Sequence, residues 1–265
     1  MCSFLIDRKY ERNIAESVCL LLVTETCREL QEHYNLCIVE NPRLAFFMVH
    51  NHLAASKEYA RPSFKSIIDT TAKISPLASI AKNNVEIGKN VIIEEFVSIK
   101  ENTVIGDCSI IRAGTIVGGE GFEQKRTEGV VLSVKHAGGV VIGSEVELQQ
   151  NNTVDKAIYP WDDTIIGNYC KTDNIVHIAH GMKMGERVFV AAHTCIAGRV
   201  TMGNDVWIGP GVTLINGIHV GDNARVNIGS VTTRDVAENK SVTGNFAIDH
   251  SVFIGNLKVL RNGIK

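Results

Sequence analysis

The sequence has no cluster of basic residues and no large excess of either charge. Its 265 residues include 27 Lys and Arg and 29 Asp and Glu, which gives a formal net charge of -2. Binding to nucleic acid or to an anionic membrane depends on concentrated positive charge. The sequence therefore predicts neither partner.

Long apolar runs are also missing. The longest, such as 18–23 and 44–49, are far shorter than the roughly 20 residues that cross a bilayer. The N-terminus lacks the basic stretch, apolar segment and small-residue cleavage site of a secretory signal. We therefore expect no membrane span and a cytoplasmic location.

The cysteines form neither a disulfide framework nor a zinc ribbon. Their number is odd and no C-x-x-C pair occurs. They stand at positions 2, 19, 27, 37, 108, 170 and 195. We expect reduced thiols that pack like small hydrophobic side chains.

What the sequence does contain is an aliphatic residue at every sixth position. The first series is Ile68, Ile74 and Ile80 and then, after one extra residue, Ile87, Ile93, Ile99, Ile105, Ile111 and Val117. After a break the series resumes at Ile142, Leu148 and Val154 and continues from Ile166 to Val226, with Pro160 and Thr172 as exceptions. A period of six fits neither an amphipathic helix nor an alternating strand.

A solenoid explains this period. Three six-residue strands make one triangular coil of 18 residues, with the marked aliphatic residues inside and small residues at the corners. Residues 18 apart should then stack at about 4.8 Å. We predict one interior ladder of Ile166, Met184, Met202 and Val220, and another of Ile178, Ile196 and Leu214.

The repeat also sets the predicted domain limits. We assign residues 61–245 to the β-helix, with a protruding, glycine-rich loop at 118–141, where the repeat is interrupted. Loops on a rigid scaffold often carry function, although this one could also be a solvated excursion. Residues 246–265 are predicted to form a short C-terminal extension.

Residues 1–60 differ in kind and are predicted to form a small α/β domain. Segments 15–24 and 35–39 have strand character, and segments 27–33 and 44–56 have helix character. Asn41 followed by Pro42 is a typical helix start.

Several segments resemble the UDP-3-O-acylglucosamine N-acyltransferase family of lipid A synthesis. The matching stretches are 163–168, 173–174, 177–180, 118–122, 142–155 and 214–217, within a similarity that spans residues 3–245. The resemblance implies a mainly β protein with a left-handed parallel β-helix, assembled as a homotrimer with active sites between neighbouring subunits. It further implies acyl transfer to the amine of a nucleotide-linked amino sugar, with no permanently bound cofactor.

The resemblance also limits the substrates. The family has a longer N-terminal domain, and helices after its β-helix that help to engage acyl carrier protein, whereas this chain ends at Lys265. A sugar destined for surface polysaccharide is therefore favoured over the lipid A precursor. A coenzyme A thioester is favoured over an acyl carrier protein thioester, although both stay open as donors.

The N-terminal unit contains a candidate nucleotide-binding segment. Residues 3–10 resemble the family's uracil-binding segment, in which two aromatic rings sandwich the base; here Phe4 and Tyr10 would form the pair. Asp7 stands where the family has Asn, so the bound base could differ. Alternatively, Phe4 and Tyr10 are core aromatics of a small domain.

The candidate general base is His180, which matches the family's catalytic histidine. Acyl transfer to an amine needs a base for the proton of the nucleophile, and histidine titrates near neutral pH. The 18-residue spacing predicts Asp162 one coil below His180, where it could orient the ring, and Gly198 one coil above, where it leaves room for the thioester. We assign Gly198 and Asn216 to donor binding.

Four further residues are candidates for substrate binding: His136 beside the loop glycines, His177, and Asp155 and Asp173 at positions that match the family. Each has a structural alternative. The two carboxylates could satisfy backbone N–H groups at corners, and His177 could simply stack under Cys195.

Two other function classes remain open. In β-helix carbonic anhydrases three histidines from two subunits hold zinc, and His177, His180 and His193 could act in this way. The nucleotide-binding segment has no purpose in such an enzyme, so we expect no metal. The other alternative is a scaffold without catalytic activity.

Overall fold

A computed structural model describes residues 2–127, 129–244 and 247–263. The boundary predicted between residues 245 and 246 lies outside this set, as do one position of the predicted loop and the last two positions of the predicted C-terminal extension.

The repeats wind into coils whose short parallel strands form three sheets, the faces of a triangular prism. The first face contains Ile67–Ile68, Val85–Ile87, Thr103–Ile105, Gly139–Ile142, Asp163–Ile166, Lys183–Met184, Thr201–Met202 and His219–Val220. The second contains Lys73–Ile74, Ile92–Ile93, Ile110–Ile111, Glu147–Leu148, Lys171–Thr172, Phe189–Val190, Trp207–Ile208, Arg225–Val226 and Ser241–Val242. The third contains Ser79–Ile80, Ser98–Ile99, Ile116–Gly119, Thr153–Asp155, His177–Ile178, Cys195–Ile196, Thr213–Leu214 and Val231–Thr232.

Strand register confirms both predicted ladders. On the first face Ile166 pairs with Met184, Met184 with Met202, and Met202 with Val220. On the third face Ile178, Ile196 and Leu214 are paired in the same way and are fully buried. From Ile87 onward the marked aliphatic residues therefore fill the interior of the prism, whereas Ile68 in the first coil is exposed.

Two insertions interrupt the coil at one corner, where the third face leads into the first. The hairpin insertion (residues 120–138) pairs Gln124–Thr127 with Val130–Ser133 in antiparallel fashion. One coil later, the corner insertion (residues 156–162) lies between the strands Thr153–Asp155 and Asp163–Ile166 and makes this coil six residues longer than the regular 18, because Thr153 pairs with His177. The hairpin insertion is shorter than the predicted loop at 118–141, because residues at both ends of that loop belong to strands of the coil.

The N-terminal unit contains a three-stranded parallel sheet and three helices. The strands are Cys2–Phe4, Leu20–Val23 and Leu36–Ile38, the 3-10 helices are Arg8–Asn13 and Glu25–Glu32, and the α-helix is Pro42–Leu53. The Asn41 side chain caps that α-helix by accepting a hydrogen bond from the Leu44 N–H, as the sequence predicts. The strand Cys2–Phe4 was not predicted.

This unit packs on both insertions. Phe47 lies in one buried cluster with Val134 of the hairpin insertion and Ile158 of the corner insertion. Asn51 donates to the Ser133 carbonyl at 2.8 Å, and His50 Nε2 lies 2.8 Å from the Lys135 carbonyl oxygen. The insertions therefore connect the N-terminal unit to the coil.

A second α-helix, His250–Gly263, follows the coil, and most of its described side chains are exposed. Among the described residues, no helix is both long enough and apolar enough to cross a membrane.

Candidate active site

His180 lies at the corner from which the two insertions project. It follows the strand His177–Ile178, one coil above the corner insertion. Only 6% of the residue is exposed, but it does not point into the aliphatic interior, which Ile178 fills at this level. Its ring lies instead beside Gly121 and Glu123 of the hairpin insertion.

Glu123 is the carboxylate next to this ring. Its Oε2 lies 3.4 Å from His180 Nε2, and Lys125 forms a second ion pair with it. The hydrogen bond with His180, followed by the contact with Lys125, lowers the pKa of Glu123 to about 2. A carboxylate that stays ionised beside an imidazole stabilises the ring after it has taken up a proton.

The contact predicted between Asp162 and His180 is wrong. Asp162 Oδ1 pairs with Lys183 Nζ at 2.5 Å. The prediction assumed an unbroken coil, but the corner insertion displaces the register: Thr153, not a residue 18 positions back, pairs with His177. Sequence periodicity missed Glu123, and its only signal was its place in the glycine-rich loop.

Above His180 the predicted stack with Gly198 and Asn216 is present. A Cβ atom on Gly198 would stand 2.6 Å from His180 Cε1 and 2.7 Å from Nε2, and 3.0 Å from Asn216 Oδ1. Real Cβ atoms do not approach other atoms this closely, so the ring needs glycine at position 198.

His136 approaches His180 from the hairpin insertion. The two ring centroids are 5.4 Å apart in an edge-to-face arrangement. His136 Nδ1 lies 3.3 Å from Glu120 Oε2, and Lys156 binds the other oxygen of Glu120 at 2.7 Å. The hydrogen bond with His136, followed by the contact with Lys156, lowers the pKa of Glu120 to about 2.

Asp155 and His177 complete the cluster on the coil side. His177 Nε2 lies 3.8 Å from Asp155 Oδ2, and its Nδ1 is 2.8 Å from the Thr153 hydroxyl. Burial raises the pKa of Asp155. The structure thus brings His136, Asp155 and His177 together around His180.

Asp173 lies elsewhere within the subunit, at the corner between the second and third faces. Its Oδ1 accepts a hydrogen bond from the Asn174 N–H at 2.7 Å. In the single chain this matches the structural alternative, in which the carboxylate satisfies corner backbone groups.

The three candidate nucleotide-binding residues lie in the N-terminal unit. Phe4 packs against Phe46, with ring centroids 5.2 Å apart, as expected of a core aromatic. Tyr10 is 46% exposed and has the Lys9 ammonium 5.0 Å from its ring. Asp7 caps the first 3-10 helix by accepting a hydrogen bond from the Lys9 N–H at 3.0 Å, so its side chain already has a local partner.

No group of three or more His, Cys, Asp or Glu residues in the described part of the chain is arranged to hold a metal ion. His177 instead contacts Thr153 and Asp155.

Comparisons with known proteins identify the family of this chain. Residues 84–119 match the family model for the bacterial transferase hexapeptide (six repeats). The UDP-3-O-acylglucosamine N-acyltransferase of Helicobacter hepaticus is 31% identical over 257 residues, which cover 84% of this chain and 74% of that protein. The chain belongs to the UDP-3-O-acylglucosamine N-acyltransferase family. The family member from Delftia acidovorans is 27% identical, covering 94% of this chain and 77% of its own.

Solved structures support the fold. The UDP-N-acetylglucosamine acyltransferase of Campylobacter jejuni superposes with a TM-score of 0.57 at 21% identity, over 74% of this chain and 82% of that one. The enzyme of the same name from Francisella novicida gives a TM-score of 0.54 at 22% identity, over 76% and 72%. The predicted left-handed β-helix is therefore confirmed. Membership of the family confirms the predicted acyltransferase class.

Proposed function

We propose that this chain transfers an acyl group from a thioester to the amine of a nucleotide-linked amino sugar, in the synthesis of lipid A or of a surface polysaccharide. The observation that carries the proposal is the group at one corner of the coil: His180, with the Glu123 carboxylate 3.4 Å from Nε2 and Gly198 packed closely above the ring. Family membership supports the same chemistry.

His180 acts as the general base. The amine nitrogen attacks the thioester carbonyl carbon, and His180 takes a proton from that nitrogen as the C–N bond forms. Glu123 stabilises the resulting imidazolium. Collapse of the tetrahedral intermediate breaks the C–S bond, and the imidazolium returns the proton to the departing thiolate.

The donor approaches from the side of Gly198 and Asn216. Because Gly198 has no side chain, a thioester carbonyl can come close to the His180 ring and to the backbone of this corner, where N–H groups can stabilise the developing oxyanion. Coenzyme A is the favoured carrier of the acyl group, and acyl carrier protein is the second candidate.

The acceptor binds between the coil corner and the N-terminal unit. His136, Asp155 and His177 surround the position where its amine must lie. The nucleotide base is assigned to the region of Phe4, Asp7 and Tyr10, in a nucleotide-binding domain of residues 1–60.

We further infer a homotrimer in the cytoplasm. Asp173 lies at another corner of the prism, so a neighbouring subunit could present its own Asp173 to His180. Light scattering tests this assembly, and a stable monomer with full activity would refute it.

A substrate panel tests the function. UDP- and dTDP-linked amino sugars are each combined with acetyl-coenzyme A, hydroxybutyryl-coenzyme A and an acyl carrier protein thioester, and free thiol and acylated sugar are measured. We expect transfer with at least one pair, and a loss of at least about 1000-fold in kcat for His180→Ala. If His180→Ala retains most of the turnover, this residue is not the base.

A further inference from the structure

A second histidine in the site is buried without a hydrogen-bond partner for its ring nitrogens. The His136 side chain is completely buried, and neither Nδ1 nor Nε2 has a hydrogen-bond partner among the described residues, although Nδ1 lies near the Glu120 carboxylate. A buried polar atom without a partner destabilises the fold, because it has lost its hydrogen bonds to water. Such an atom in a site is therefore explained best by a bound ligand that completes the hydrogen bond.

The two ring nitrogens of His136 face different surroundings. Nδ1 points toward Glu120 Oε2 at 3.3 Å, and 64% of the Glu120 side chain is exposed. Nε2 faces Gly121, where an added Cβ atom would stand 2.7 Å from Nε2, 3.2 Å from Asp155 Oδ2 and 3.2 Å from His180 Cδ2. One nitrogen thus faces the catalytic cluster, and the other faces a carboxylate in contact with solvent.

The proposed reaction must remove two protons from its acceptor. Near neutral pH an aliphatic amine is largely an ammonium ion, which has no lone pair for attack. One proton must leave before the attack, and a second leaves as the C–N bond forms. His180 accepts the second proton and passes it to the thiolate. The first proton therefore needs another acceptor.

We propose that His136 is a second catalytic residue, which accepts at Nε2 the proton that converts the incoming ammonium ion into the reactive amine. The imidazolium then passes its Nδ1 proton to the exposed Glu120 carboxylate, which releases it to solvent. The balance is one proton to the thiol through His180 and one to solvent through His136. This step rests on the proposed amino-sugar acceptor.

The charges around His136 suit this role. The titratable groups that interact with it are Glu120, His50, Asp155 and His180, with Lys156 behind Glu120. Glu120 and Asp155 supply the negative charge that attracts an ammonium ion, and Glu120 stabilises the positive ring after proton transfer.

The test is the pH dependence of kcat/KM for His136→Gln. A variant without this acceptor can use only the fraction of substrate that is already free amine. If the amine has a pKa of about 8, that fraction is about 3% near pH 6.5. We therefore expect a loss of about 30-fold near pH 6.5, which shrinks to less than about threefold near pH 9.5, where the free amine predominates.

Three further variants make the result decisive. Glu120→Gln should show a smaller loss with the same pH dependence, because it leaves the ring but removes the carboxylate. His180→Ala should stay inactive at high pH. His219→Gln, which changes a first-face histidine bonded to Thr201, should match the wild type at every pH.

Two results with His136→Gln would overturn the proposal that His136 is the second proton acceptor. One is a loss of kcat/KM that is equal at low and high pH, and the other is no loss at low pH. Failure of the wild type to acylate any amino sugar in the panel overturns the proposed function instead. The two failures are therefore distinguishable.

Discussion

The regular coil and its two insertions differ in what they contain and in what they do. The coil repeats one unit, with aliphatic side chains inside and short strands in register. The hairpin insertion breaks this pattern and carries Glu120, Glu123 and His136, all of which reach the neighbourhood of His180 or its partners. A periodic scaffold offers the same environment at each level, so a unique site requires residues that leave the repeat.

Among the substitutions that compare the coil with its insertions, the largest effect is expected inside the coil, at Gly198. In Gly198→Ala the new methyl group would stand 2.6–2.7 Å from the His180 ring, so the ring or the backbone must shift. A displacement of about 1 Å at a reacting group can cost about 100-fold in rate. We expect kcat to fall by about that factor, with an unchanged circular dichroism spectrum.

Gly229→Ala is the matched control for this substitution. Gly229 has a φ of +68° and nothing within 4 Å of an added Cβ. The variant should lose about 1 kcal/mol of stability from backbone strain but keep its activity. If both variants lose activity equally, strain in the coil explains the loss and Gly198 has no special role.

The next largest effect is expected at a carboxylate of the hairpin insertion, Glu123, and is compared with that at a carboxylate of the corner insertion, Asp162. Glu123→Gln removes the charge beside His180, and we expect kcat to fall by roughly 10- to 100-fold. Asp162→Asn removes a carboxylate that binds Lys183, and kcat should stay within about threefold of the wild type. Steady-state kinetics with one donor shows which carboxylate supports His180. A larger loss in Asp162→Asn than in Glu123→Gln would assign that role to Asp162, as the 18-residue spacing predicts.

These residues also show how far sequence reasoning extends. The fold was predictable because, in the uninterrupted coils, each marked aliphatic residue packs on the residue 18 positions away, so a local pattern encodes the long-range contacts. His180 was identified through a resemblance, and Gly198 and Asn216 stack above it because no insertion interrupts those coils.

Glu123 could not be found in the same way. Its contact with His180 depends on the path of the hairpin insertion, and that path is set by packing of Val134 against Phe47 of the N-terminal unit. No period relates these three segments. The predicted contact of Asp162 with His180 was wrong for a different reason. The six extra residues in the coil of the corner insertion shift the 18-residue spacing between stacked residues on either side of them.

The smallest expected effect concerns the attachment of the hairpin insertion to the coil at acid pH. Contacts with His136 and Lys156 lower the pKa of Glu120 to about 2, and contacts with His180 and Lys125 do the same for Glu123. A depressed carboxyl pKa stabilises the fold above the ordinary value, and this stabilisation disappears as the pH falls toward the folded value.

The double variant Glu120→Gln, Glu123→Gln should therefore be less stable than the wild type near neutral pH, and the difference should fade between about pH 4.5 and about pH 2. Because both side chains are partly exposed, we expect a difference below about 1 kcal/mol for each pair. Urea unfolding at a fixed protein concentration across this range measures it. A difference that does not change with pH would mean that the insertion is held by the shape of its contacts, and that the charges of Glu120 and Glu123 serve the reaction alone.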